Sequence, residues 1–290
     1  GAAMSAPATS VTGLSADQPI GVFDSGVGGL TVVKAVMSRL PGERLVYLGD
    51  TARVPYGTRS QATVLRYSRN AARFLLRHSV KLVLIACNTA SAAALDVLAD
   101  ELSVGVLGAV EPGAKAAATA TRSGVIGVIG TLATVRSGAY VRAISRLRPT
   151  AQVVAQACPL LVPLVEEGWT DQNDPVSHLI LRRYLTDLHR QSPELDTLVL
   201  GCTHYPLLRA ALAEVVAELW SHPVTLVDSA QAMADATAEL LAQQGLLAEG
   251  RGTAAATTQL TCFVTDEARV SEVGARFLGQ PLSGVQLVDL

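Results

Sequence analysis

The sequence predicts an α/β protein built as two pseudo-symmetric α/β domains, each a mainly parallel sheet flanked by helices, with the site in the cleft between them. Three observations predict it. Short apolar runs alternate with longer amphipathic stretches, the pattern of strands joined by crossover helices. Hydrophobic residues make up 49% of the 290-residue chain but aromatic ones only 4%. The core must then be mostly Val, Leu, Ile and Ala, which suits helices packed on a parallel sheet. Finally, one phrase occurs twice. Val83 to Thr89 and Leu198 to His204 both read as an apolar run, a small residue, a cysteine and a polar pair.

In chain order, Ile20 to Phe23 is a strand, Asp24 to Gly29 a glycine-rich turn, and Leu30 to Leu40 a helix stopped by Pro41-Gly42. Leu45 to Leu48 is a strand ending in Gly49-Asp50. Ser60 to Arg77 is a helix, Leu82 to Ala86 a strand, Thr89 to Leu102 an Ala-rich helix and Val104 to Val110 a strand. Glu111-Pro112-Gly113 reads as a break and a domain boundary. The pattern then restarts, with a strand at Val125 to Ile129, a turn and helix at Thr131 to Leu147, and a strand at Ala151 to Ala155. Cys158-Pro159 opens a short helix to Glu167, and Pro175 to Arg190 is a longer one. Leu198 to Leu200 is a strand, Tyr205 to Leu219 a helix, Val224 to Val227 a strand and Ser229 to Gln244 a helix. Gly245 to Thr257 reads as a linker, followed by a strand at Gln259 to Val264 and a helix at Glu267 to Leu278. This predicts a flexible tail over 1–19, one domain over 20–112 plus 225–290, and a second over 113–224.

The second pass echoes the first in the same order. Ile20-Gly21-Val22-Phe23-Asp24-Ser25 matches Ile126-Gly127-Val128-Ile129-Gly130-Thr131, and Arg53-Val54-Pro55-Tyr56 loosely matches Leu161-Val162-Pro163-Leu164. Duplicated α/β halves face each other across a cleft, with one cysteine strand from each side.

The composition excludes several classes. The net charge is -2 with no basic run, so nothing points to nucleic acid or an anionic membrane. No apolar stretch approaches a membrane span of roughly 20 residues. The tail has neither the basic head nor the apolar middle of a secretory signal. The four cysteines, Cys87, Cys158, Cys202 and Cys262, form no C-x-x-C pair, so neither zinc nor a disulfide framework is expected, and a reducing cytoplasm is.

Ligands of open α/β sheets sit beyond the carboxyl ends of the strands, where Cys87 and Cys202 fall. Two thiols in duplicated contexts suit a reaction with two faces, such as inversion of a stereocentre, with one base and one acid exchanging roles. A redox pair is the alternative, and it requires sulfurs close enough to bond. Asn88, Thr89 and Thr203 precede helices, whose free N–H groups suit a carboxylate. Asp24 and Ser25 end the first strand. Asp24 and His204 are candidates to hold an ammonium group or relay protons. Glu166 and Cys158 are weaker candidates, and Cys262 reads as core. Gly26-Val27-Gly28-Gly29 with Asp50 imitates a dinucleotide fingerprint, but Thr31 stands where its last glycine belongs. None of the three lysines falls at a strand's carboxyl end, which disfavours pyridoxal phosphate. A non-catalytic amino-acid-binding module on the same scaffold remains open.

The motifs GVFDSGVGGLTV, YLGDTARVPYG, ACNTASAAA, EPGA, GVIGTLATVRSGAY and LGCTHYPLL occur in this order. Together they resemble the cofactor-independent aspartate/glutamate racemases, in particular the glutamate racemases, from about Ile20 onward. The resemblance implies two domains related by a pseudo-twofold axis, and conversion between L- and D-glutamate without a cofactor or metal. It also implies a supply of D-glutamate for peptidoglycan, and a homodimer. By position it implies Cys87 and Cys202 as proton donors and acceptors assisted by Asp24 and His204. The implied substrate contacts are Asp24, Ser25, Pro55, Tyr56, Gly57, Asn88, Thr89, Thr131, Thr203 and His204.

Overall fold

A computed structural model of the chain describes residues 13–249 and 259–290. The first lobe begins β1 (Ile20–Asp24), α1 (Leu30–Arg39), β2 (Arg44–Gly49), α2 (Gln61–Leu76), β3 (Leu82–Ile85), α3 (Asn88–Glu101) and β4 (Gly105–Gly108). The chain then passes through α4 (Val110–Ala120), β5 (Val125–Gly130), α5 (Leu132–Ser137), α6 (Ala139–Leu147), β6 (Gln152–Ala157), α7 (Leu161–Glu166) and α8 (Pro175–Gln191). It continues with β7 (Thr197–Gly201), a 3-10 turn (Tyr205–Leu208), α9 (Arg209–Leu219), β8 (Thr225–Asp228) and α10 (Ser229–Gln244). It closes with β9 (Gln259–Val264), α11 (Val270–Leu278) and β10 (Gln286–Leu287).

Among the described residues ten strands form two sheets, in the orders β10-β9-β2-β1-β3-β4 and β6-β5-β7-β8. Every pairing is parallel. The first four strands of each lobe therefore follow one order, and β9 and β10 extend the first sheet past β2. In β1, Val22 lies opposite Tyr47 and Leu84; in β5, Val128 lies opposite Ala155 and Val199. The central strands β1, β3, β5 and β7 are buried along their whole length, because helices cover both faces. One apolar core runs through both lobes, from Ile20 and Val22 to Leu198 and Leu200. The helix α10 packs on α1 of the first lobe and α4 of the second.

The structure corrects the expected boundaries. Glu111-Pro112-Gly113 is not a break but the first turn of α4. Pro112 is tolerated there because the first N–H groups of a helix have no intrahelical acceptor to lose. α4 packs against α6 and β7 of the second sheet. β8 pairs with β7, so the chain returns to the first lobe after Asp228 rather than before Thr225. The turn and helix expected over 131–147 prove to be two helices parted at Gly138, which adopts the left-handed conformation with φ 67°. The helix expected from Tyr205 begins as a 3-10 turn. β10 has no forerunner in the sequence, since two residues are too few for a periodicity.

The linker expected over 245–257 lies, over 250–257, outside the described residues, as do residues 1–12 of the expected tail. Residues 13–19 are not a free tail. The Lys81 ammonium, fully buried, donates to the carbonyl of Ala16 at 2.7 Å, to that of Leu246 at 2.8 Å and to Glu43 Oε2 at 2.6 Å. Glu43 Oε1 in turn accepts from the Ala248 N–H at 2.8 Å. One ion pair thus ties the segment before β1 and the end of α10 to the floor of the first sheet.

Removing one partner of a buried pair strands the other charge. Lys81→Ala is expected to destabilise the protein by about 3–5 kcal/mol, read as a lowered urea midpoint. The double variant Lys81→Met/Glu43→Leu should recover only part of the loss, because the backbone groups of Ala16, Leu246 and Ala248 still lose their partners.

Candidate active site

β3 and β7 occupy equivalent places in the two sheets, and each delivers a cysteine at its carboxyl end. Cys87 follows β3 as the N-cap of α3, its sulfur accepting from the Ala90 N–H at 3.4 Å. Cys202 follows β7 one turn before the 3-10 helix. Both are reduced and nearly buried, at 7% and 6% exposure. Both line a single cavity of about 360 Å³ between the lobes, at the lower end of the range for small-molecule sites.

Every position that the resemblance implies as catalytic or substrate-binding lines this cavity: Asp24 and Ser25 after β1, and Pro55, Tyr56 and Gly57 in the loop after β2. Beside them stand Cys87, Asn88 and Thr89 from the first lobe, and Thr131, Cys202, Thr203 and His204 from the second. Val162 and Pro163, at the start of α7, line the cavity together with Val54 and Pro55. Glu166, a weaker candidate, is also in the lining. Cys158 is fully buried and outside it, and its carbonyl accepts from the Tyr205 hydroxyl at 3.0 Å. Cys262 is core, its thiol pushed up to about 11 by burial.

The two halves differ in electrostatics. On the first side, Asp24 is buried and its Oδ2 accepts from the N–H groups of Gly29 at 2.9 Å and Gly26 at 3.1 Å. Burial raises its titration above the ordinary carboxylate value despite these bonds and the charge of His204. The Cys87 thiol donates to Ser25 Oγ at 3.8 Å. Burial, and then the negative charge of Asp24, push this thiol up to about 12. On the second side, His204 Nδ1 lies 3.8 Å from Cys202 Sγ and 3.2 Å from Thr203 Oγ1, and Nε2 lies 3.0 Å from Glu166 Oε1. Burial works against a charged ring, but the bonds to Cys202 and Glu166 outweigh it and raise His204 to about 10. One thiol is therefore held protonated, while the other faces an imidazolium that can donate to its sulfur.

The lobes meet at the site through the residues that build it. Thr89 Oγ1 lies 2.9 Å from Thr131 Oγ1, and the Ala133 N–H donates to the Gly57 carbonyl at 3.2 Å. The glycine-rich turn after β1 packs against the second lobe. A Cβ on Gly28 would lie 2.4 Å from Thr203 Oγ1 and 2.7 Å from His204 Cε1. The Thr31 hydroxyl donates to the Thr203 carbonyl at 3.3 Å. Of the glycines that imitate a dinucleotide fingerprint, Gly28 thus serves close approach to Thr203 and His204.

Residues 30–237 match the Asp/Glu/Hydantoin racemase family. The chain belongs to that family. It is an isomerase of the racemase class. A protein named glutamate racemase from Geobacter metallireducens is 52% identical to this racemase over 272 residues, spanning 93% of this chain and 96% of that protein. One from Neisseria gonorrhoeae is 46% identical over 94% of this chain and 97% of that protein. Among solved structures, glutamate racemase isoform RacE1 from Bacillus anthracis superposes with a TM-score of 0.86 at 36% identity, covering 94% of this chain and 98% of that one. Glutamate racemase from Francisella tularensis in complex with D-glutamate gives 0.84 at 34% identity, with the same coverage.

Sequence reasoning missed the residues that support the racemase site from behind. Asp50 is buried and accepts from Tyr56 Oη at 2.5 Å, Arg53 at 2.9 Å and Thr265 Oγ1 at 2.9 Å, holding the loop after β2. Phe277 of α11 stacks edge-on against His204 with centroids 4.8 Å apart. Thr265 and Phe277 are distant in the chain from the residues they brace, so no local signal marks them, and Arg53 and Tyr56 lie near Asp50 in a loop without periodicity. Among the described residues no cluster of side chains is suited to a metal ion, and no helix is long and apolar enough to cross a membrane.

Folding lets His204 hold its proton from an ordinary 6.5 up to about 10. The linked stabilisation is complete below the unfolded value and is lost as pH rises through the folded one. Urea unfolding of wild type and His204→Asn should therefore show their widest gap below about pH 6.5 and a narrowing gap as pH approaches about 10.

Proposed function

We propose that this racemase interconverts L- and D-glutamate without a cofactor, one thiol acting on each face of Cα. The observation that carries this reading is the pair of unbonded cysteines, delivered by equivalent strands of two like sheets into one cavity. A thiolate on one face takes the α-proton as a base. The thiol on the other face then gives its proton to the carbanion, and the sulfurs exchange roles in the reverse reaction. His204 passes protons to and from Cys202, and Asp24 serves the Cys87 side. The carboxylates of glutamate are met by the hydroxyls of Ser25, Thr89, Thr131 and Thr203, by Asn88, and by the free N–H groups opening α3. Pro55, Tyr56 and Gly57 close the cavity over the substrate. The enzyme works as a cytoplasmic homodimer whose D-glutamate supplies peptidoglycan synthesis.

Racemisation of L-glutamate in deuterium oxide should yield product carrying deuterium at Cα, with no added pyridoxal phosphate and after treatment with a chelator. Cys87→Ser and Cys202→Ser should each slow racemisation by about 10²–10⁴-fold, with an unchanged circular dichroism spectrum. Full activity in either variant would remove the two-thiol mechanism.

A further inference from the structure

One tyrosine, the last residue of the GVIGTLATVRSGAY motif, touches both halves of the site from behind. Tyr140, on α6 of the second lobe, is 2% exposed. Its ring lies between two glycines. A Cβ on Gly113 of α4 would meet Cε1 at 3.3 Å, and one on Gly201 would meet Cε2 at 3.2 Å. Gly201 is the residue before Cys202. The Tyr140 hydroxyl crosses to the first lobe and donates to Asn88 Oδ1. Asn88 is the residue after Cys87.

Asn88 lines the cavity at 3% exposure, and its Nδ2 has no partner among the described residues. Burial lifts the Tyr140 phenol above its ordinary value, so it remains an O–H donor. A donor there selects the carbonyl end of the amide and leaves both Nδ2 hydrogens for whatever enters the cavity. A buried, unpaired N–H₂ group is costly until an acceptor meets it. A carboxylate oxygen of an amino-acid substrate is such an acceptor, with charge in its favour.

We propose that Tyr140 is a positioning residue that registers the two lobes and locks the Asn88 amide with its nitrogen toward a carboxylate of the substrate. The inference rests on the glutamate reading above. Wild-type turnover of L-glutamate therefore comes first, and its absence would count against that reading rather than against Tyr140.

Tyr140→Phe keeps the ring between its glycines and removes only the hydroxyl, freeing the amide to turn its oxygen to the cavity. KM for both enantiomers is expected to rise about tenfold, with kcat, its pH profile and the melting temperature little changed. On an Asn88→Ala background, Tyr140→Phe should add nothing, since both act through one contact. Wild-type KM in Tyr140→Phe, or effects that simply add, would overturn the proposal. Should Tyr140→Phe fold poorly, Asn88→Asp serves instead. It preserves an acceptor for Tyr140 and replaces the free donor with an anion, so its KM should exceed that of Asn88→Ala. A KM no higher than that of Asn88→Ala would equally overturn the proposal.

Discussion

The constraint on which the rest depends is the polarity of a parallel sheet. All strands of a lobe end on the same edge, and every helix that follows begins there with unpaired N–H groups. Whatever residue ends a central strand is placed at a pocket mouth with donors behind it. This chain applies the rule twice, in two sheets whose first four strands share one order. Cys87 and Cys202 therefore come from equivalent ends, and turning the two edges toward each other produces one cavity with a thiol on either side. The extra strands β9 and β10 lie beyond β2 and leave the shared pattern untouched.

Symmetry of the scaffold does not extend to the electrostatics. Both thiols are almost withdrawn from water, yet Cys87 shares its surroundings with a buried carboxylate, and Cys202 with an imidazole backed by Glu166. A negative neighbour adds to the cost of ionising a buried thiol, whereas a positive one supplies a proton at close range.

Holding the lobes in register requires contacts spread over the whole interface. Gly28 allows the turn after β1 to lie against Thr203 and His204. Phe277 braces the imidazole, and Arg276 donates to the Glu166 carbonyl. At the opposite end of the first sheet, the Lys81–Glu43 pair gathers the segment before β1 and the end of α10. The catalytic edge is thus left to close approach and side-chain hydrogen bonds, and the far edge carries a buried charge pair.

The sequence by itself determined the strand and helix alternation, the doubled cysteine phrase and the polar residues that follow β1, β3 and β7 into the cavity, while Pro55, Tyr56, Gly57 and Thr131 came from the resemblance to the racemases. The former are local signals: periodicity, a glycine turn, a polar pair after an apolar run. It misread Glu111-Pro112-Gly113 as a break, because a proline in a helix's first turn looks like one that ends a helix. It returned the chain to the first lobe too early, because the sheet that β8 joins depends on its pairing with β7 and not on its composition. Only the tertiary structure decided that Asp50 holds Tyr56, that Tyr140 reaches Asn88 and that Glu166 backs His204. Tyr140 and Asn88 are 52 residues apart and Glu166 and His204 38, and only folding brings them together, while Asp50 and Tyr56, six apart, meet through the fold of the loop after β2, which no periodicity encodes.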